Sequence, residues 1–190
     1  MSSVVISGDT SGAVTVAAPA VAGTNTLTLQ AATATNAVNT LATAVASTSG
    51  TSINFTDIPS WVKRITVMLS GVSLSSTANI LIQIGPSGGV ETSGYSGVVL
   101  GNGTQTVWGG TGCLITRTGV ATSTYSGIVT LANITGSTWV CSATVADSVN
   151  TFAGLAAGSK AITGTLSIVR ITSTSTDTFD AGSVNLLLEG

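Results

Sequence analysis

No histidine occurs among the 190 residues. The side chain that most often serves as a general base or metal ligand is therefore missing. Charge is nearly as scarce: Lys, Arg, Asp and Glu make up 6% of the chain, against about 25% in an ordinary soluble domain. The seven acids and five bases are scattered, with Lys63-Arg64 the one adjacent pair. That leaves no basic cluster for nucleic acid and no polybasic or basic amphipathic segment for an anionic membrane. Long apolar runs are absent too. Stretches such as NLLLEG and SIVRI fall far short of the roughly 20 residues of a spanning helix. Three tryptophans and two tyrosines cannot furnish the two aromatic girdles of a membrane β-barrel. Two cysteines without histidine match no zinc pattern. The opening MSSVVISGDT has neither the basic start nor the long apolar stretch of an export signal. The expectation is a chain folded in the cytoplasm, with Cys113 and Cys141 as free, buried thiols.

What is present is Ser, Thr, Gly, Ala and Val, with enough Ile and Leu for a core. Low charge together with abundant aliphatics excludes disorder, which needs the opposite balance. It also predicts an assembled protein, because solubility as a monomer normally rests on a more charged surface. At this length a single domain buries roughly 70% of its unfolded surface and requires no disulfide or metal staple.

Two regions differ in kind. Residues 1–50 contain almost only small side chains, with Asp9 the sole charge and no aromatic. They read as an N-terminal arm that ends in the Ser-Thr-Ser-Gly-Thr run at 47–51. Within the arm, VVISGDTSGAVTVA predicts two short strands around a turn, and Thr26–Gln30 alternates with a period of two. Ala31, Ala34, Val38, Leu41 and Val45 follow a heptad pattern. Two readings stand open for 31–46: a short helix supported by partner chains, or a featureless linker.

Residues 51–190 alternate as β-strands. Ile65, Val67 and Leu69 share one face, as do Trp139, Cys141, Ala143 and Val145. Turn signals (GPSGG, GNGT, NITGS, DAGS) recur at the spacing of a β-sandwich or jelly-roll-like domain. The fold class is thus all-β, an extended arm followed by a sandwich. Several strands, Ile80-Leu81-Ile82 and Leu186-Leu187-Leu188 among them, are apolar on both faces and need cover from another sheet or chain. In TSINFTDIPSWVKRITVML, Ile53 and Phe55 open the first strand and Asp57-Ile-Pro-Ser turns. Lys63 and Arg64 then solvate the next strand's end or pair with an acid.

Candidate chemistry is sparse. Asp177 and Asp180 in TSTDTFDAGS are spaced as glycosidase carboxylates could be. Asp in a Thr/Ser/Gly loop before a final strand more commonly closes a turn through its own backbone, and that reading is taken. Glu91 and Asp147 stand alone. The Gly-rich stretches GPSGGVETSGYSG and GNGTQTVWGGTG lack the Lys-Ser/Thr ending and helix of a phosphate loop. As long loops they offer Tyr95 and Trp108 for stacking on a sugar ring, although core burial is the commoner fate of such residues. The expectation is no enzyme, no cofactor and no metal.

The segment SGDTSGAVTVAAPAVAGTNTLTLQAATAT resembles one that recurs in tail-fibre and related virion proteins of tailed bacteriophages. TSINFTDIPSWVKRITVMLSGVS, NILIQIG, GGVETSGY and VRITSTSTDTFDAGSVNLLLE are similar to a β-rich domain of phage structural proteins, those of cyanophage and marine phage among them. Together these cover most of the chain. The resemblance implies a short, homotrimeric tail fibre or fibre tip in the virion, attached to tail or baseplate proteins and contacting a host-surface glycan or protein. A capsid decoration or cement protein is the alternative that it also admits.

Overall fold

The computed structural model describes residues 3–7, 13–17 and 39–190, apart from 102, 118 and 151. The chain divides into two compact units, Met1–Asn36 and Ala37–Gly190. In the first, β1 (Ser3–Ser7) pairs antiparallel with β2 (Ala13–Ala17), Val5 opposite Thr15, as the sequence predicts. The alternating stretch at 26–30 lies outside the described residues.

The second unit holds β3 (Asn39–Leu41), β4 (Val45–Ala46), β5 (Ser52–Phe55), β6 (Arg64–Leu74), β7 (Ile80–Gly85), β8 (Tyr95–Gly101) and β9 (Thr104–Gly110). It continues with β10 (Cys113–Leu114), β11 (Tyr125–Thr135), β12 (Thr138–Asp147), β13 (Phe152–Ala161), β14 (Ile168–Ser173) and β15 (Phe179–Glu189). No described residue is helical. Two antiparallel sheets result. The larger runs β3-β15-β6-β11-β12-β13-β8-β9, with β4 also beside β15; the smaller runs β10-β7-β14-β5. One continuous buried cluster draws on both, with Val67, Leu131 and Leu186 from the larger and Ile82, Val169 and Ile171 from the smaller. Burying each such side chain contributes about 1.5–3 kcal/mol.

The helix admitted over 31–46 does not form in its described part, 39–46, which is extended. Leu41 lies opposite Leu187, and Val45 opposite Val184. Thr and Val lose rotamer freedom in a helix and fit a pleated edge, and β15 supplies the backbone partners. The expected domain boundary at 47–51 moves accordingly, since 37–50 belongs to the second unit. Ser47, fully buried, donates from its backbone N–H to the Gly182 carbonyl (2.9 Å) and from its hydroxyl to Ala181 (2.7 Å). The β15–β6 register shifts at this point. Gly71 and Gly182 take φ values of 62° and 92°, and a Cβ on Gly182 would lie 2.4 Å from the Gly71 carbonyl carbon. Only glycine fits this bulge.

The free-thiol expectation is overturned. Cys113 in the smaller sheet and Cys141 in the larger form a disulfide, with Cα atoms 6.9 Å apart and both residues buried. That expectation rested on the lack of an export signal. The topology instead stacks β10 over β12 and so joins residues 28 apart in sequence across the two sheets.

Candidate functional site

At one end of the second unit, three connections meet around a cleft of about 410 Å³. Ser60, Val62 and Lys63 come from the segment between β5 and β6, and Gly136 and Ser137 from the β11–β12 hairpin. Thr163, Gly164, Thr165 and Leu166 come from the segment between β13 and β14, while Asn133 and Trp139 belong to β11 and β12. Val62, Trp139 and Leu166 are buried and make the site's apolar component, whereas the Ser, Thr and Lys side chains are polar and mostly exposed. A cavity of this volume suits a small ligand.

The walls are tied to one another. Lys63 donates its backbone N–H to Glu189 (2.8 Å) and accepts from Asn133 N–H (2.8 Å). Ile162 N–H reaches the Ser137 carbonyl (3.0 Å), and Ile58 N–H reaches Ser167 (3.0 Å). Asn133 closes its own hairpin by donating Nδ2 to the carbonyls of Gly136 (3.0 Å) and Thr138 (3.1 Å). Glu91 holds the third wall, its Oε1 accepting both the N–H (2.6 Å) and the hydroxyl (2.7 Å) of Thr163. Its Oε2 lies 2.5 Å from Lys160 Nζ, which is 8% exposed and sits 5.4 Å from the Tyr95 ring centroid. The Lys160 ammonium, aided by the Thr163 N–H and hydroxyl, outweighs burial and lowers the Glu91 carboxyl to about 2. The cleft is therefore preformed and held by a neutralised pair behind it.

Tyr95 and Trp108 do not lie in loops. Tyr95 begins β8 and Trp108 lies in β9, and they are 4% and 7% exposed. The Tyr95 hydroxyl accepts Ile84 N–H (2.7 Å) and returns a bond to the Ile84 carbonyl (3.1 Å), linking the two sheets. Burial pushes that phenol up to about 12. The Trp108 indole lies across Gly97 and Gly158, where an added Cβ would come within 2.4 and 2.5 Å of its ring carbons. Both rings are core, so neither presents a face to a sugar. Gly97, read as part of a loop, and Gly158 are together the floor on which the indole rests.

The turn reading of the acids weighed as catalytic changes. The Asp177 carboxylate accepts Ala78 N–H (2.9 Å) from the connection between β6 and β7, and not from its own turn, while Asp180 is an exposed residue of β15. Asp147, 3% exposed, accepts from the Ser123 hydroxyl (3.1 Å), Val149 N–H (3.0 Å) and both N–H groups of Asn150 (3.2 and 2.8 Å). Burial alone would raise its carboxyl, but these donors prevail and lower it. Among the described residues, no group of three or more His, Cys, Asp or Glu gathers as a metal site. The expected pairing of a strand-end cation is present, with Arg64 Nε 3.5 Å from Glu189.

The cleft residues escaped the sequence reading because Ser60, Ser137, Thr163 and Thr165 are ordinary turn residues of a Ser/Thr-rich chain. Only Lys160, a lone cation inside the Gly/Ala strand FAGLAAGSKA, carried a signal that something buried must pair with it.

Elsewhere, the outer face of the larger sheet carries Val98, Leu100, Val107, Ile128 and Leu155, between 38% and 77% exposed. Leu155 is opposite Leu100, and Val98 opposite Val107, so the side chains form one patch beside the sheet edge β9. A shallow depression of about 350 Å³ lies among Val98, Leu100 and Leu155. No family model, characterised protein or solved structure matches this chain.

Proposed function

We propose that this chain is a structural protein of a phage virion, a short homotrimeric tail fibre that contributes to host-surface recognition. The carrying observation is the apolar patch of Val98, Leu100, Val107, Ile128 and Leu155, left exposed among the described residues of a protein with only 6% charge. Such a patch on so weakly charged a surface marks a site of association, and closed threefold symmetry suits a fibre axis. The finer fold in this reading is a β-sandwich, its two sheets packed through the shared core, the Tyr95–Ile84 bonds and the 113–141 disulfide. The hairpin-bearing unit Met1–Asn36, distinct from the β-domain, is assigned to docking on tail or baseplate proteins. Recognition of a cell-surface glycan is assigned to the cleft at the end of the domain in place of Tyr95 and Trp108, with no part for nucleic acid or membrane insertion.

Two assays test this. Labelled antibody against the protein should mark the tail of intact particles. Purified protein should adhere to susceptible host cells and not to resistant ones. Antibody bound all over the head, with no adhesion to either cell type, would replace the fibre by a capsid decoration protein.

A further inference from the structure

Resting on the reading of the cleft as the recognition site, we propose that it takes an anionic sugar, a pyranose bearing a carboxylate as in a uronic acid. Two features of the cleft point there together. Val62, Trp139 and Leu166 are buried and only close its floor, so contact with a ligand falls to the polar rim. The hydroxyls of Ser60, Ser137 and Thr165 line it without a hydrogen-bond partner among the described residues, so they are free for ring hydroxyls. Finally, the cleft's cation is unspent. Arg64 has Glu189 and Lys160 has Glu91, whereas Lys63 forms no ion pair among the described residues.

The balance of charge selects the ligand. No carboxylate lines the cleft, and the nearest one through Thr163, Glu91, is neutralised by Lys160. The local field is that of one exposed ammonium, which favours a single negative charge and disfavours a cation. A charge-assisted hydrogen bond from Lys63 to a carboxylate is about twice as strong as a neutral one. The volume of about 410 Å³ accommodates one or two sugar rings and leaves the rest of a polysaccharide outside. Selectivity therefore rests on one acidic unit of a longer chain.

The test is titration of the full-length protein, followed by amide NMR, with short oligomers of galacturonate, glucuronate and mannuronate and with their methyl esters. The esters keep the ring and remove the charge. Expected are shifts at Lys63, Ser137 and Thr163–Leu166 with at least one acid. The corresponding ester, or the Lys63→Gln variant, should weaken binding about tenfold, and added salt should weaken the acid alone. Lys63 is exposed, so Lys63→Gln should leave the other resonances in place. Equal binding of acid and ester, shifts confined to other surfaces, or no shift with any of the three acids would overturn the proposal. The outcome is separable from the fibre reading. Adhesion to host cells without uronate shifts sinks only the ligand assignment, and uronate shifts without adhesion sink only the fibre.

Discussion

The smaller sheet and the larger one solve the same problem differently. β7 is apolar on both faces, and all six of its residues are buried. Its inner side meets the core, while on its outer side Leu81 and Gln83 are covered by the chain itself. An added Cβ on Gly112 would lie 2.5 Å from Leu81 Cδ1, and Gln83 donates Nε2 to the Thr111 carbonyl (2.8 Å). Among the described residues the larger sheet has no such cover over Leu100, Val107 and Leu155, which are 41%, 77% and 51% exposed. Two-faced apolar strands therefore do not by themselves announce a partner chain. In β7 the cover is intramolecular, whereas the outer face of the larger sheet stays exposed among the described residues, and that is the face assigned to another copy in the proposed trimer.

The largest effects should come from breaking the seam between the sheets. Trp108→Ala removes the indole from its Gly97–Gly158 bed and should cost about 3–5 kcal/mol in denaturant unfolding. Reducing the 113–141 disulfide, or replacing both cysteines by Ala, should cost about 3–4 kcal/mol for a bridge closing a separation of 28 residues. An unchanged unfolding midpoint in reductant would remove the seam from the account.

Acid should act through the pair behind the cleft. The Glu91 carboxyl is held at about 2 against an ordinary 4.5, so its contribution is complete above 4.5 and lost as pH falls toward 2. That contribution is at most about 3 kcal/mol. Melting temperature against pH should fall through this window in the parent, and Glu91→Gln should flatten the fall. Smaller again is the contrast between the two outer faces. Gly112→Ala should cost about 1–3 kcal/mol by crowding Leu81. Leu155→Ser should change the stability of the isolated fold by only about 0.5 kcal/mol, because its side chain already faces solvent. Equal penalties would erase the distinction between covered and uncovered faces.

The alternation of Ile65-Val67-Leu69 and Trp139-Cys141-Ala143 made the β-class and much of the core legible, since period two is a local property. Tertiary placement was not local. GGVETSGYSG and GNGTQTVW looked like loops because glycine usually breaks strands, yet here Gly97 and Gly158 are strand residues thinned to admit Trp108. The disulfide was hidden for the same reason, as nothing in the sequence places β10 over β12. The strand pairing of 39–46 depends on an edge supplied by β15, some 140 residues on. The cleft draws its hydroxyls from three separate connections, and in a chain rich in Ser and Thr no spacing singles them out.

Sedimentation velocity on the full-length chain and on its Leu100→Ser/Leu155→Ser variant reads whether the outer face of the larger sheet holds copies together. A trimer is expected at micromolar concentration, and the double substitution should dissociate it into folded monomers with unchanged β-circular dichroism. A parent protein that sediments as a stable monomer, or a trimer indifferent to both substitutions, would contradict this expectation.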